Sequence, residues 1–349
     1  MKTTFNKVCI EPPGYILPPE LIRSADIEEC LDEVYRRLNL PKGRLEMMTG
    51  IRERRLFPRC FKPSDAAIEA GKDALTRSSV SKKDISCLIM CSVCRDFLEP
   101  ATSTVVHHAL GLPGDCIVFD ISNACLGVLS GMIVIANMIE SGQIKAGILV
   151  SGETSRSLLE STIKKMLEDK SLTRKTIKPY FSSLTIGSGA VGVILAHNDL
   201  VPDARKFIGG ATFAATEFNN LCTSDQDRGM ADNLDTLMNT DSETLMIRGI
   251  ETAEITWKKF KEDTGWNEQS PELICTHQVG KAHKKMLLDR LGLPESKDFE
   301  TLSILGNTGS ASCPVTYAMA VEKGLAPKGS KTVLLGIGSG INCTMLGIE

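Results

Sequence analysis

The sequence predicts an α/β protein whose sheets are covered by helices on both faces. Short apolar runs of strand length alternate with helical segments of ten or more residues. Residues 126–140 are apolar almost all round, as a helix at the centre of a fold should be. The chain closes on two apolar runs separated by a Gly-rich turn.

The elements follow in order. Asp65 is placed to cap a helix running to Arg77, in which Ala66, Ala67, Ala70 and Ala74 favour helix and Ile68 and Leu75 add apolar contacts. Strand-like runs occupy 87–93, 117–121 and 147–151, with the buried helix 126–140 between the last two. Residues 152–180 carry many Lys, Ser and Thr and read as a surface excursion. The second half repeats the theme: helix at 242–261, strand at 273–276, helices at 281–290 and 310–323, then a hairpin of 332–337 with 341–348. This suggests two similar halves, 1–200 and 201–349.

A chain of 349 residues can bury a substantial core, and its 42% hydrophobic and 24% charged content fits a soluble globular protein. Net charge is −3 and basic residues are scattered, which speaks against nucleic acid or an anionic membrane as partner. The first twenty residues, broken by Pro12, Pro13, Pro18 and Pro19, lack an apolar stretch of export-signal type. The apolar region 117–139 is interrupted by Asp120, Ser122, Asn123 and Asn137, unlike a membrane span. A cytoplasmic protein is expected, with its twelve cysteines reduced. Cys91 and Cys94 form a C-x-x-C with no second ligand pair at metal-site spacing, so they read as buried thiols and no metal is expected.

Cys125 stands between a strand and the buried helix, in Phe119-Asp120-Ile121-Ser122-Asn123-Ala124-Cys125-Leu126-Gly127. A thiol at a helix N-terminus faces unpaired N–H groups and the positive end of the dipole, both expected to lower its pKa. Gly127 is expected to remove bulk near the sulfur. The plainer alternative is a packed core thiol. His277 follows a strand, in Ile274-Cys275-Thr276-His277-Gln278-Val279-Gly280, where an imidazole can donate to an oxyanion or exchange a proton with a leaving thiolate. With five histidines in the chain, chance placement competes with that reading. Asn307 lies in Gly306-Asn307-Thr308-Gly309-Ser310, as turn chemistry or as an amide donor to a thioester oxygen. The ending Gly336-Ile337-Gly338-Ser339-Gly340 is either a tight hairpin or the source of a backbone N–H for an oxyanion; no phosphate-loop Lys follows it. Glu99, in Arg95-Asp96-Phe97-Leu98-Glu99-Pro100, would by default be a solvated charge.

Taken in order, these segments resemble the ketoacyl-synthase III branch of the thiolase superfamily: a nucleophilic Cys before a buried helix, then His, then Asn, then a Gly-rich end. Thr49-Gly50-Ile51-Arg52-Glu53-Arg54 is similar to the same branch. Within it the likeness is greatest to OleA-type enzymes. It rests on Ser92-Val93-Cys94-Arg95-Asp96-Phe97-Leu98-Glu99-Pro100, Asn123-Ala124-Cys125-Leu126, Gly152-Glu153-Thr154, Leu184-Thr185-Ile186-Gly187 and Thr216-Glu217-Phe218-Asn219, with 335–343 at the end. The resemblance implies a five-layer αβαβα thiolase fold, a homodimer with paired active sites, and no permanently bound cofactor. It implies non-decarboxylative Claisen condensation of two acyl-CoA thioesters through an acyl-Cys125 intermediate. Backbone N–H groups of Cys125 and Gly340 would hold the oxyanion, His277 and Asn307 the enolate, and Glu99 would act as base in the partner subunit's pocket. A carboxylate shielded from water has the raised pKa that such a base needs. The chain departs from the CoA-binding pattern of the branch at Arg44 and Met48, where Trp and Arg are usual.

Three rivals remain. A decarboxylative synthase III would use a malonyl-carrier-protein donor and tolerate loss of Glu99. A hydroxymethylglutaryl-type synthase also uses Glu, Cys and His, but fits the local segments less well. A non-catalytic acyl-binding scaffold would have no chemical need for Cys125, His277, Asn307 and Glu99 together.

Overall fold

The computed structural model describes residues 3–224 and 238–349. The first part contains β1 (Val8–Ile10), α1 (Pro63–Arg77), β2 (Ile85–Met90), α2 (Thr102–Leu110), β3 (Ile117–Asp120), α3 (Gly127–Glu140), β4 (Ala146–Glu153) and β5 (Gly189–His197). The second contains β6 (Arg205–Ala214), α4 (Ser242–Thr264), β7 (Leu273–Thr276), α5 (Lys281–Leu291), α6 (Ser312–Glu322), β8 (Thr332–Gly338) and β9 (Asn342–Ile348).

The strands join in the order β7-β8-β9-β6-β1-β5-β4-β2-β3. One pairing pattern occurs twice along this path. In the first part β3, β2 and β4 are parallel neighbours, followed by antiparallel β5 and β1. In the second, a parallel bridge from Asp298 to Ile274 leads to parallel β7 and β8, then antiparallel β9 and β6. Short pairings link the two: Arg205 with Ile10, Lys206 with Cys9, and Thr3 and Thr4 with Gly210 and Gly209.

Burial follows from this layering. Along β4, Ile148 and Val150 face the cluster under α1 and α2, whereas Leu149 faces α3. Along β8, Leu334 faces inward toward α3 and α6, whereas Val333 and Leu335 face α4 and α5. The alternation has the period of a strand, but both faces are dry, so the sequence reads as a continuous apolar run. The layers are α1/α2, sheet, α3/α6, sheet, α4/α5.

The alanines of α1 have a second purpose beyond helix propensity. A Cβ on Gly152 would lie 2.1 Å from the Pro63 carbonyl oxygen, and one on Gly192 would lie 2.6 Å from that of Ala70. Helix and strand backbones therefore touch through Gly on one side and Ala on the other.

Several boundaries differ from expectation. The first helix begins at Pro63, not Asp65; Asp65 sits in its first turn, where its carboxylate accepts the Lys62 N–H at 2.9 Å. β2 stops at Met90 because the Val93 and Cys94 N–H groups turn away to a side chain, Glu153. β5 and β6, which the sequence reading did not mark, are long strands, β5 buried almost throughout and β6 only in its middle. β4 runs through Gly152 and Glu153, and the helix Arg156–Glu168 beyond it shares a separate small core, including Leu159, Met166, Ile27, Leu31 and Tyr35, with the helices Ser24–Cys30 and Asp32–Arg37. Among the described residues no helix is long and apolar enough to cross a membrane.

Replacing Gly152 with Ala should force β4 and α1 apart and cost about 2 kcal/mol, the usual scale of overpacking. Urea unfolding of the variant against the wild type measures it; an unchanged midpoint would show that the contact is slack.

Candidate functional site

Parallel strands aim their carboxyl ends at one side of a sheet, where loops gather chemistry. Here the ends of β2 and β3 in one sheet layer and of β7 and β8 in the other meet at the N-termini of α3 and α6. Cys125 lies in a 3₁₀ turn, Ala124–Leu126, immediately before α3. Ser310 lies in the corresponding turn, Gly309–Ala311, before α6. The turns touch: the Ser310 hydroxyl accepts the Val128 N–H at 3.0 Å. A Cβ on Gly127 would meet that hydroxyl at 2.7 Å and the Cys91 carbonyl at 3.2 Å. Gly127 thus serves the packing of the two turns, a correction to its expected role beside the sulfur.

The Cys125 turn is held on all sides. Ala124 adopts φ +45°, a left-handed conformation that costs a residue with a Cβ about 1 kcal/mol. The Asn123 amide donates to Ser130 Oγ at 2.9 Å, and its oxygen accepts from the Asn342 amide at 3.3 Å. Asn342 in turn stands beside Gly340, whose φ of +127° favours glycine. Gly338 packs against Leu126 and lies near the Cys125 backbone nitrogen. The Gly-rich ending is therefore built against the cysteine turn, not apart from it.

The electrostatics contradict one expectation. The Cys125 thiol is pushed up to about 12, first by burial, then by the negative charge of Glu153 and by Cys222. The expected lowering at the helix N-terminus is outweighed because the sulfur is buried beside an anion. His277 is buried and, chiefly through burial and then through His283, held down to about 3, so its ring is neutral. Both ring nitrogens lack a protein partner among the described residues. A neutral imidazole keeps one N–H to donate and one nitrogen to accept, whichever tautomer is present. Its backbone is fixed by donation to the Leu335 carbonyl on β8 at 2.8 Å.

Asn307 is buried, and its backbone N–H and C=O are tied to Thr185 and Gly187. Its side-chain oxygen accepts the Gly309 N–H at 3.0 Å. That bond assigns the amide orientation and leaves the NH2 group facing the other way, as a donor. Glu99 is not in the buried cluster: it is exposed on the loop between β2 and α2. Arg44 rests over the Phe181 ring at 6.0 Å, and Met48 is exposed. Cys91 is buried against Gly131 of α3, and Cys94 donates weakly to the Thr154 carbonyl.

The residue that sequence reasoning did not single out is Glu153. It is buried at the end of β4 and accepts N–H groups from Val93, Cys94 and Ser310. Its signal was a carboxylate ending an eight-residue strand with every position buried. His283, which lies close enough to His277 to lower its pKa further, and Cys222, close to Cys125, were also not marked.

Residues 47–157 match the thiolase N-terminal domain family, and residues 262–349 match the C-terminal domain of 3-oxoacyl-[acyl-carrier-protein] synthase III. The chain is 39% identical to the acyl-CoA:acyl-CoA alkyltransferase of Shewanella oneidensis, with 99% of each chain covered. It is 36% identical to that of Xanthomonas campestris pv. campestris, with 98% of each covered. The crystal structure of a cysteine-to-serine variant of Xanthomonas campestris OleA with bound lauric acid and lauroyl-CoA matches with a TM-score of 0.92 at 35% identity, covering 99% of both chains.

Two measurements test the electrostatics. Iodoacetamide alkylation of Cys125, followed by peptide mass spectrometry, should climb about tenfold per pH unit from pH 7 to 10 without a plateau, because only the thiolate reacts; a plateau near pH 8 would contradict a pKa of about 12. His277 stays neutral in the fold down to about pH 3, while the unfolded chain protonates near 6.5. Its contribution to stability is thus complete above pH 6.5 and lost as pH falls, by about 2 kcal/mol at pH 5. Urea unfolding at pH 7 and pH 5 should show that loss in the wild type and a smaller one in His277→Ala.

Proposed function

Since the chain belongs to the acyl-CoA:acyl-CoA alkyltransferase family of thiolase-fold condensing enzymes, we propose that it joins two acyl-CoA thioesters by Claisen condensation without decarboxylation. The observation that supports this reading is the packing of the Cys125 turn against the Ser310 turn that follows Asn307, with a donor amide on Asn307 and, among the described residues, no partner on either ring nitrogen of His277. Likeness to a structure holding lauroyl-CoA supports acyl-CoA as the substrate class.

In the proposed first half-reaction the Cys125 sulfur attacks the acyl carbonyl of one acyl-CoA. Backbone N–H groups of Cys125 and Gly340 hold the oxyanion, the bond to CoA sulfur breaks, and the thiol proton passes through His277 to the departing thiolate. A neutral imidazole suits this, since it can take and return a proton without staying charged. In the second, Glu99 removes the α-proton of another acyl-CoA while His277 and Asn307 donate to the enolate oxygen. The enolate carbon attacks the acyl-Cys125 carbonyl, the Cys125 thiolate leaves and recovers the proton from Glu99. One free CoA and one β-ketoacyl-CoA result.

Glu99 is assigned to the active site of a second copy. Its loop exposes Val93, Phe97 and Leu98, and Ile117 on the sheet-edge strand β3 is 49% exposed. An open edge strand beside exposed apolar side chains is a pairing surface. A homodimer joined there would bury these groups and bring Glu99 to the partner's cavity. The repeated pairing pattern supports division of the chain into halves at 1–200 and 201–349.

Incubation of the purified chain with acyl-CoA alone should yield a β-keto product by mass spectrometry, and Cys125→Ala should abolish it. Glu99→Ala should retain the acyl-Cys125 adduct while condensation falls by about 10² to 10⁴. Product formed only when a malonyl donor is added would overturn the reading in favour of a decarboxylative synthase.

A further inference from the structure

Glu153 sits where three reacting segments meet. Its Oε1 accepts the Val93 N–H at 3.0 Å and the Ser310 N–H at 3.2 Å, and its Oε2 accepts the Cys94 N–H at 3.3 Å. Val93 and Cys94 open the loop that carries Glu99. Ser310 closes the turn that carries Asn307, and its hydroxyl binds the Val128 N–H just after Cys125. Gly309 leaves room for the carboxylate, since a Cβ there would stand 3.2 Å from its carboxyl carbon.

We propose that Glu153 is a positioning residue for the condensation, one buried carboxylate that fixes the spacing of the Glu99 loop, the Asn307 turn and the Cys125 helix. The proposal rests on the assignment of Cys125, Asn307 and Glu99 given above. All three partners are N–H donors, so the site is built for an ionised, acceptor-only carboxylate. No neutral side chain of the same length meets all three: glutamine would turn an NH2 group toward either Cys94 or the Val93–Ser310 pair. Burial raises the Glu153 pKa above its ordinary value, and the three N–H donors with the Cys94 thiol oppose part of that rise. The titratable groups that raise the Cys125 pKa are Glu153 and Cys222, so the same carboxylate also holds the thiol protonated.

Glu153→Gln and Glu153→Asp separate geometry from charge. The wild type is first tested for the acyl-Cys125 adduct; its absence would overturn the proposed function and this proposal with it. With the adduct present, Glu153→Gln should lose condensation by about 100-fold, as misplaced reacting groups do. At the same time its Cys125 alkylation rate at pH 9 should rise about tenfold, because an anion beside the thiol has gone. Glu153→Asp keeps the charge but is one methylene too short to span both loops, so condensation should fall at least about tenfold with the alkylation rate unchanged. Circular dichroism and melting temperature verify that each variant is folded; should Glu153→Gln not fold, Glu153→Asp decides alone. Condensation near the wild-type rate in either folded variant would overturn the proposal. So would a loss in Glu153→Gln with no change in alkylation, which would mark an ordinary structural role.

Discussion

The cost of burying charge governs this site. His277 and Glu153 are buried and Cys125 is half-buried where two sheet layers close on two central helices, and burial is the first cause that raises the thiol. In such surroundings the interior favours neutral forms, and it leaves the thiol protonated and the imidazole uncharged. Glu153 is the exception, and it carries three N–H donors to compensate. In the proposed reaction, charge would appear when a thioester oxygen becomes an oxyanion, to be met by the N–H groups assigned to Cys125 and Gly340.

Such a site is possible because one pairing pattern is used twice. Each run of parallel strands ends beside a 3₁₀ turn and the N-terminus of a central helix, and the two turns face one another. Close approach of that kind requires small residues at the seam. Gly127 and Gly309 supply them, one against a hydroxyl and one against a carboxylate. Left-handed Ala124 is the strain that remains, and the Asn123 bonds on either side of it show what holds it.

Much of this was legible in the sequence. The central helix was visible because a helix covered on most of its faces carries no broad polar stripe, and the closing hairpin because glycines separate two apolar runs. β5 escaped notice because Gly189 and Gly192 look like breaks. Gly192 is instead the place where α1 comes within contact of the strand, a reason that exists only once the two are packed. The cysteine, histidine and asparagine segments could be picked out by residue type and order. The thiol's pKa could not, because the helix terminus is visible in sequence whereas the buried anion beside it comes from a strand 28 residues later. Glu153 was hidden for the same reason: its importance lies in three backbone groups from two distant loops.

The separation of Glu153 from Glu99 has a physical logic. A base that removes an α-proton must be ionised before it acts, and Glu153 is already committed to three backbone N–H groups, so a different carboxylate is needed for that step. Within one chain Glu99 stands on an exposed loop. In the proposed dimer it would enter the neighbouring cavity only as the interface closes. The same loop is tethered at its root by Glu153 of its own chain. One carboxylate would thus set the reach of another, and the chemistry of each cavity would depend on a backbone anchor in the opposite subunit.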